Sequence, residues 1–154
     1  MLKKTITLAL LGILAVSCVV RQPATNQVAL ISEENTGIVK IHSTGLGSNL
    51  SEMEQDAQIK AFEAILYVGL PSSSIQSYRT PMIENKATMQ GHPSIKQFFN
   101  NREYTQFVTR VERLEYLKQR TSEGGRALNY HIVVNYNALR RYMEQHDVIR
   151  KFGY

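Results

Sequence analysis

The sequence predicts an α+β domain: a small sheet of about three to four strands with two main helices packed on one face. The expected order is β-α-(short α)-β-β-α-(β). Three observations predict it. Ile38–Ser43 (IVKIHS) is β-branched and alternating, which reads as a strand. Residues 51–68 carry helical apolar spacing with a start signal and a stop signal. Residues 128–137 (LNYHIVVNYN) alternate cleanly behind a Gly124-Gly125 turn, the mark of a hairpin. Strands and helices mix without βαβ regularity, which points to α+β with helices on one face of a sheet. There is no internal repeat.

The first strand is bounded by Gly37 and Gly45, and the small residues STGLGSN that follow read as a turn into the first helix. Ser51 and Glu54 match a capping box, in which each side chain satisfies a free backbone N–H at the helix start. The helix should run to about Val68, with Met53, Ala57, Ala61, Phe62, Ile65, Leu66 and Val68 on one broad apolar face. Gly69 suits its C-terminal end and Pro71 forbids continuation. Residues 71–91 (PSSSIQSYRTPMIENKATMQG) lack periodicity and read as a long loop, a class that tends to be functional or disordered.

His92-Pro93 opens a short helix, Ser94 to about Asn101, with Ile95, Phe98 and Phe99 inward and Pro93 in the first turn. Residues 104–117 (YTQFVTRVERLEYL) have β-branched and aromatic content but charge spacing that also suits a helix. The hairpin with 128–137 decides for a strand, and Leu128, Tyr130, Ile132, Val134 and Tyr136 share one face of its partner. Asn137 is expected to cap a last helix, Ala138 to about Asp147, with Leu139, Tyr142, Met143 and His146 at helical spacing. The tail VIRKFGY adds a final short strand.

Ahead of the domain stands MLKKTITLALLGILAVSC. Lys3 and Lys4 precede an apolar run, Ile6–Val16, too short for a hydrocarbon core that takes ~20 helical residues. Residues 1–17 therefore read as a cleaved secretory signal. The ending Leu-Ala-Val-Ser-Cys resembles the lipobox of bacterial lipoproteins, which implies lipidation of Cys18 and attachment to a membrane. A triacylated cysteine exceeds the two lipid signals that stable anchoring takes. Residues 18–36, with Pro23 and several Asn and Gln, read as a flexible tether, with the apolar patch Val28–Ile31 a candidate short edge strand. The single α+β domain then covers 37–154. Val19 is not the aspartate that retains some lipoproteins at the inner membrane, and no acidic run follows Cys18. The resemblance thus implies the outer membrane, facing the periplasm.

Composition narrows the chemistry. The net charge is +5, of which Lys3 and Lys4 supply two, so the exported chain is mildly basic and its partners are not nucleic acid. Cys18 is the one cysteine, which removes an internal disulfide, a thiolate nucleophile in the domain and a cysteine-ligated metal. The four histidines, His42, His92, His131 and His146, show no i, i+4 pair and no HExxH. Gly45-Leu46-Gly47 lacks both the third glycine of a dinucleotide fingerprint and the GK[ST] of a P-loop. No GxSxG surrounds Ser43, Ser48 or Ser72–Ser74. Glu52, Glu54 and Asp56 complement a helix dipole. The expectation is a non-enzyme without catalytic residues, metal or cofactor.

Basic residues gather in two places: Arg110, Arg113, Lys118, Arg120 and Arg126 around the hairpin, and Arg140, Arg141, Arg150 and Lys151 near the C-terminus. Both sets read as solvated faces or as docking surfaces. Arg140, Arg141, Arg150, Lys151, Phe152 and Tyr154 are the candidate partner contacts, basic and aromatic together. Closing a sheet edge is the alternative for the tail.

Strand, Gly-x-Gly and amphipathic helix (GIVKIHSTGLGSNLSEMEQDAQIKAFEAIL) resemble the start of small α+β envelope domains of bacterial lipoproteins and periplasmic flagellar accessory proteins. The lipobox, YVGLPSS, the Phe-Phe helix, the hairpin and VIRKFGY together resemble the TssQ-type lipoproteins of Bacteroidota type VI secretion systems. That resemblance implies a structural, anchoring subunit of an envelope-spanning complex and transfers no active-site residue. The expected partners are the membrane, through lipid on Cys18, and envelope or secretion-complex proteins. Cell wall (peptidoglycan) or a small ligand, bound through the 71–91 loop, is the alternative.

Overall fold

The computed structural model describes residues 28–34, 36–71, 78–85, 91–120 and 126–151, with backbone alone for 78 and 115–120. Cys18, Phe152 and Tyr154 lie outside the described residues, as do 72–77 and 86–90 of the expected loop. The architecture is α+β. A four-stranded antiparallel sheet has the order β1 (Val28–Glu33), β2 (Ile38–Gly47), β6 (Arg126–Asn135), β5 (Val108–Arg120). The helix α1 (Leu50–Glu63) packs mainly on β2 and also reaches β6, and α3 (Tyr136–Gln145) packs alongside.

β1 lies inside the stretch expected to be tether and is the short edge strand expected of Val28–Ile31, carried on to Glu33. It pairs with β2 from Val28↔Ser43 to Glu33↔Val39, with a bulge between Leu30 and Ser32. Gly37 makes the turn between them at φ 76°, and its N–H donates to Glu34 O at 2.9 Å. The sheet thus starts at Val28, ahead of the expected boundary at Gly37.

β2 runs on through the residues read as a turn. Gly45, Leu46 and Gly47 pair with Leu128, Ala127 and Arg126. A Cβ on Gly45 would stand 1.7 Å from Met53 O, and one on Gly47 2.7 Å from Glu52 Cβ. The two glycines let the first turns of α1 lie directly on the strand. Because the strand is longer, the helix cap comes earlier than Ser51. Asn49 accepts from Glu52 N at 3.0 Å, and the Glu52 carboxylate reaches back to Ser48 N at 2.8 Å.

Three links then tie α1 to the strand, and an ion pair along the helix braces them. Ser43 Oγ donates to Ala57 O at 2.8 Å, Leu46 N donates to Asp56 at 2.7 Å, Lys60 Nζ donates to Thr44 O at 3.3 Å, and Lys60 pairs with Asp56 at 2.6 Å.

Met53, Ala57, Ala61, Phe62, Ile65 and Leu66 are buried as expected, but Val68 is 59 % exposed. It falls in a π-helical turn (Ala64–Val68) that shifts the helical phase before Gly69 ends the helix at φ 90°. The carbonyls of Ile65 and Leu66 accept from Met82 N and Ile83 N at 3.0 and 2.9 Å. The described part of the expected loop is thereby tied to the helix end. It also forms a two-residue pair, β3 (Leu70–Pro71) with β4 (Tyr78–Arg79). Arg79 pairs with Glu33 and lies 3.8 Å over the Tyr136 ring.

The short helix α2 (Pro93–Asn100) buries Ile95 and Phe98. A 3₁₀ turn (Glu103–Phe107) then occupies the first residues expected in a strand, so β5 begins at Val108. Tyr104 and Phe107 are buried from that turn against Phe98, with ring centres 6.2 and 6.1 Å away. Aromatic burial, not pairing, fixes this segment. In β6, Leu128, Tyr130, Ile132 and Val134 are buried on one face, and Tyr136, also buried, opens α3.

The cap of α3 is Asn135, which accepts from Ala138 N at 2.9 Å, rather than Asn137, whose amide donates to Thr36 O at 3.2 Å. Leu139 and Met143 are buried, Tyr142 is half-buried and His146 is exposed. Residues 148–151 are not a strand. Val148 instead turns into the core, its N–H on Met143 O at 2.9 Å.

Candidate functional site: the polar face of the sheet

Alternation along β2 and β6 gives the sheet two unlike faces. Val39, Ile41, Ser43 and Gly45 face α1 together with Leu128, Tyr130, Ile132 and Val134. The intervening positions put Lys40, His42 and Thr44 beside Asn129, His131 and Val133, and register brings Glu112 of β5 opposite His131. His42, His131 and Glu112 therefore form a row across three neighbouring strands.

The row is densely connected. The His42 and His131 ring centres are 5.8 Å apart with planes at 72°. Glu112 Oε2 is 2.8 Å from Lys40 Nζ and 3.8 Å from His131 Nδ1, while Oε1 is 3.1 Å from Arg110 Nη1. Beside them Thr44 Oγ1 donates to Asn129 Oδ1 at 2.7 Å. The hydrogen bond from Lys40, and then that from Arg110, holds the Glu112 carboxyl below its ordinary range. Burial pushes the His42 imidazole down, helped by charge on His131. Burial and the Lys40 ammonium push His131 down as well, against the opposing pull of Glu112. Both rings are favoured as neutral imidazoles.

The other chemical candidates have structural employment. Ser43 and Ser48 serve the helix and its cap, and Asp56 is held by Lys60. Glu54 accepts from Gln58 at 3.3 Å. His146 stacks on Tyr142, ring centres 4.2 Å apart. The Tyr142 hydroxyl donates to Glu103, and burial first and Glu103 second push it up to about 12. His92 sits at the start of α2 with a buried Nδ1 that has no hydrogen-bond partner. Among the described residues no group of three or more His, Cys, Asp or Glu converges as a metal shell.

The C-terminal basic residues are partly assembled. Arg140 is half-buried and pairs with Glu144 at 3.1 Å, and Arg141, Arg150 and Lys151 are exposed. Arg140 and Arg150 border a groove with Met82, Ile83 and Val148. At the hairpin, Arg113 and Arg126 are exposed, and Arg110 is drawn into the Glu112 cluster. The cross-strand histidine pair escaped the sequence because its members are 89 positions apart and only strand register makes them neighbours. The one sequence signal was that both stood on the polar phase of alternating segments.

No family model, curated protein or solved structure matches the chain.

Proposed function

We propose that the chain is a lipid-anchored structural subunit, held by Cys18 at the periplasmic side of the outer membrane and joined there to an envelope-spanning protein complex of the type VI secretion kind. One observation carries this reading: a Lys3-Lys4 start, a short apolar run and the sequence Leu-Ala-Val-Ser ahead of the chain's single cysteine. The resemblance to TssQ-type lipoproteins narrows it to the secretion complex. The exposed Arg141, Arg150 and Lys151 supply a basic surface for an acidic protein partner.

Cys18→Ser tests the anchor. The variant should leave the outer-membrane fraction, as soluble or unprocessed chain, while the folded domain keeps its thermal transition. Unchanged fractionation overturns the tether. Pull-down from detergent-solubilised envelope tests the partner: stoichiometric recovery of secretion-complex proteins supports the reading, and retention on isolated peptidoglycan in their absence replaces it.

A further inference from the structure

His42 and His131 are exact register partners on adjacent antiparallel strands, so their Cβ atoms are fixed by sheet geometry, at the close spacing of directly opposed residues. An ion held by one nitrogen of each imidazole at a bond of ~2.0–2.1 Å stands about 3.2 Å from each ring centre. Two rings on one ion then have centres from about 4.5 Å apart, at a right angle, to about 6.4 Å, in line. The observed 5.8 Å falls inside that interval. Both rings are half-buried on the polar face, within reach of an ion from solvent.

We propose that His42 and His131 form a two-imidazole site for a borderline transition-metal cation, of the Zn²⁺, Ni²⁺ or Cu²⁺ class. Paired nitrogen donors select these ions over Ca²⁺ and Mg²⁺, which take oxygen shells. Glu112 is a neighbour and not a third ligand: its two oxygens are engaged by Lys40 and Arg110 at 2.8 and 3.1 Å. It offsets part of the charge of Lys40 and Arg110, the two cations bound to it, and so lowers the cost of bringing a further cation there. Two protein ligands leave the remaining coordination positions to water or to a donor from another molecule. This site is independent of the anchoring function proposed above.

The test is calorimetric titration of the untagged full chain in detergent with Zn²⁺ and Ni²⁺ at neutral pH. Saturable binding is expected, at one ion per chain or one shared by two chains. His42→Asn and His131→Asn should each weaken it by about tenfold or more, with the circular dichroism unchanged. His146→Asn, on the far helix end, should bind as the parent does. If the double variant His42→Asn/His131→Asn binds as tightly as the parent, or if His146→Asn removes the binding, the site is overturned. Loss of the folded spectrum in an Asn variant is met by His42→Gln and His131→Gln, for which the same tenfold criterion decides.

Discussion

Thr44 and Gly45 are neighbours in the chain and belong to opposite faces of one sheet. Gly45 has no side chain because the backbone carbonyl of Met53 occupies the place where one would go. Thr44, one residue earlier, carries a hydroxyl bonded to Asn129 across the strands. The same contrast runs the length of the sheet. The face under α1 is apolar, tightly filled and intolerant of added or missing atoms. The other face holds Lys40, His42, Asn129, His131 and Glu112 in a hydrogen-bonded and ionic layer. The first face explains why the chain folds. The second is where variation in chemistry is affordable, and where a site can be built without disturbing the core.

The sharpest way to break that contrast is to cut equivalent side chains on both faces. Ile132 is fully buried and Val133, next to it, is half-buried on the polar side. Ile132→Ala should cost about 4 kcal/mol through lost burial and the cavity left behind, and Val133→Ala about 1 kcal/mol. Urea unfolding of the two variants measures the difference, and similar losses would show that the polar side is packed as tightly as the other.

Gly45→Ala comes next. The added methyl meets the helix backbone, not a side chain that could rotate away, so α1 must lift from β2. A loss of about 3 kcal/mol is expected, at the upper end of overpacking costs. The contacts of Ser43 with Ala57 and of Leu46 with Asp56 should weaken with it, seen as faster amide exchange at the start of α1. A neutral Gly45→Ala would mean that the glycine serves the chain's turn into the helix and not the close approach.

Much of this was legible from residue patterns. The fold class, the α1 core positions, the short aromatic helix and the buried face of β6 follow from period and punctuation, which are local. The misses have a common cause. Gly45 and Gly47 read as turn residues because local sequence does not reveal that a helix presses on them from outside. That error moved the cap from Asn49 to Ser51. Tyr104 and Phe107 read as strand because their β propensity is real, while their burial against Phe98 is a tertiary fact. Asn135 and Asn137 are equally good caps on paper, and the reach of Asn137 to Thr36 separates them only in three dimensions. The histidine pair belongs to the same class, since register is not written in either strand alone.

The smallest effect separates the faces by acidity. Burial holds His42 and His131 below the ordinary imidazole value of ~6.5 in the folded chain. As pH falls through that value the unfolded chain takes up protons first, so stability decreases with acidification until the folded-state values are passed. Above ~6.5 both states carry neutral rings and this contribution is flat. Glu52, Glu103 and Glu112 are also shifted down, but their loss belongs to a separate window, beginning only as pH approaches the ordinary carboxylate value of ~4.3. Thermal melting across the first window, from pH ~6.5 down toward ~4.3, should show a slope that His42→Asn/His131→Asn flattens, while the steeper acid limb persists. A slope unchanged in the double variant would assign the sensitivity to groups off the polar face, and would leave the two imidazoles there without the desolvation that keeps them neutral.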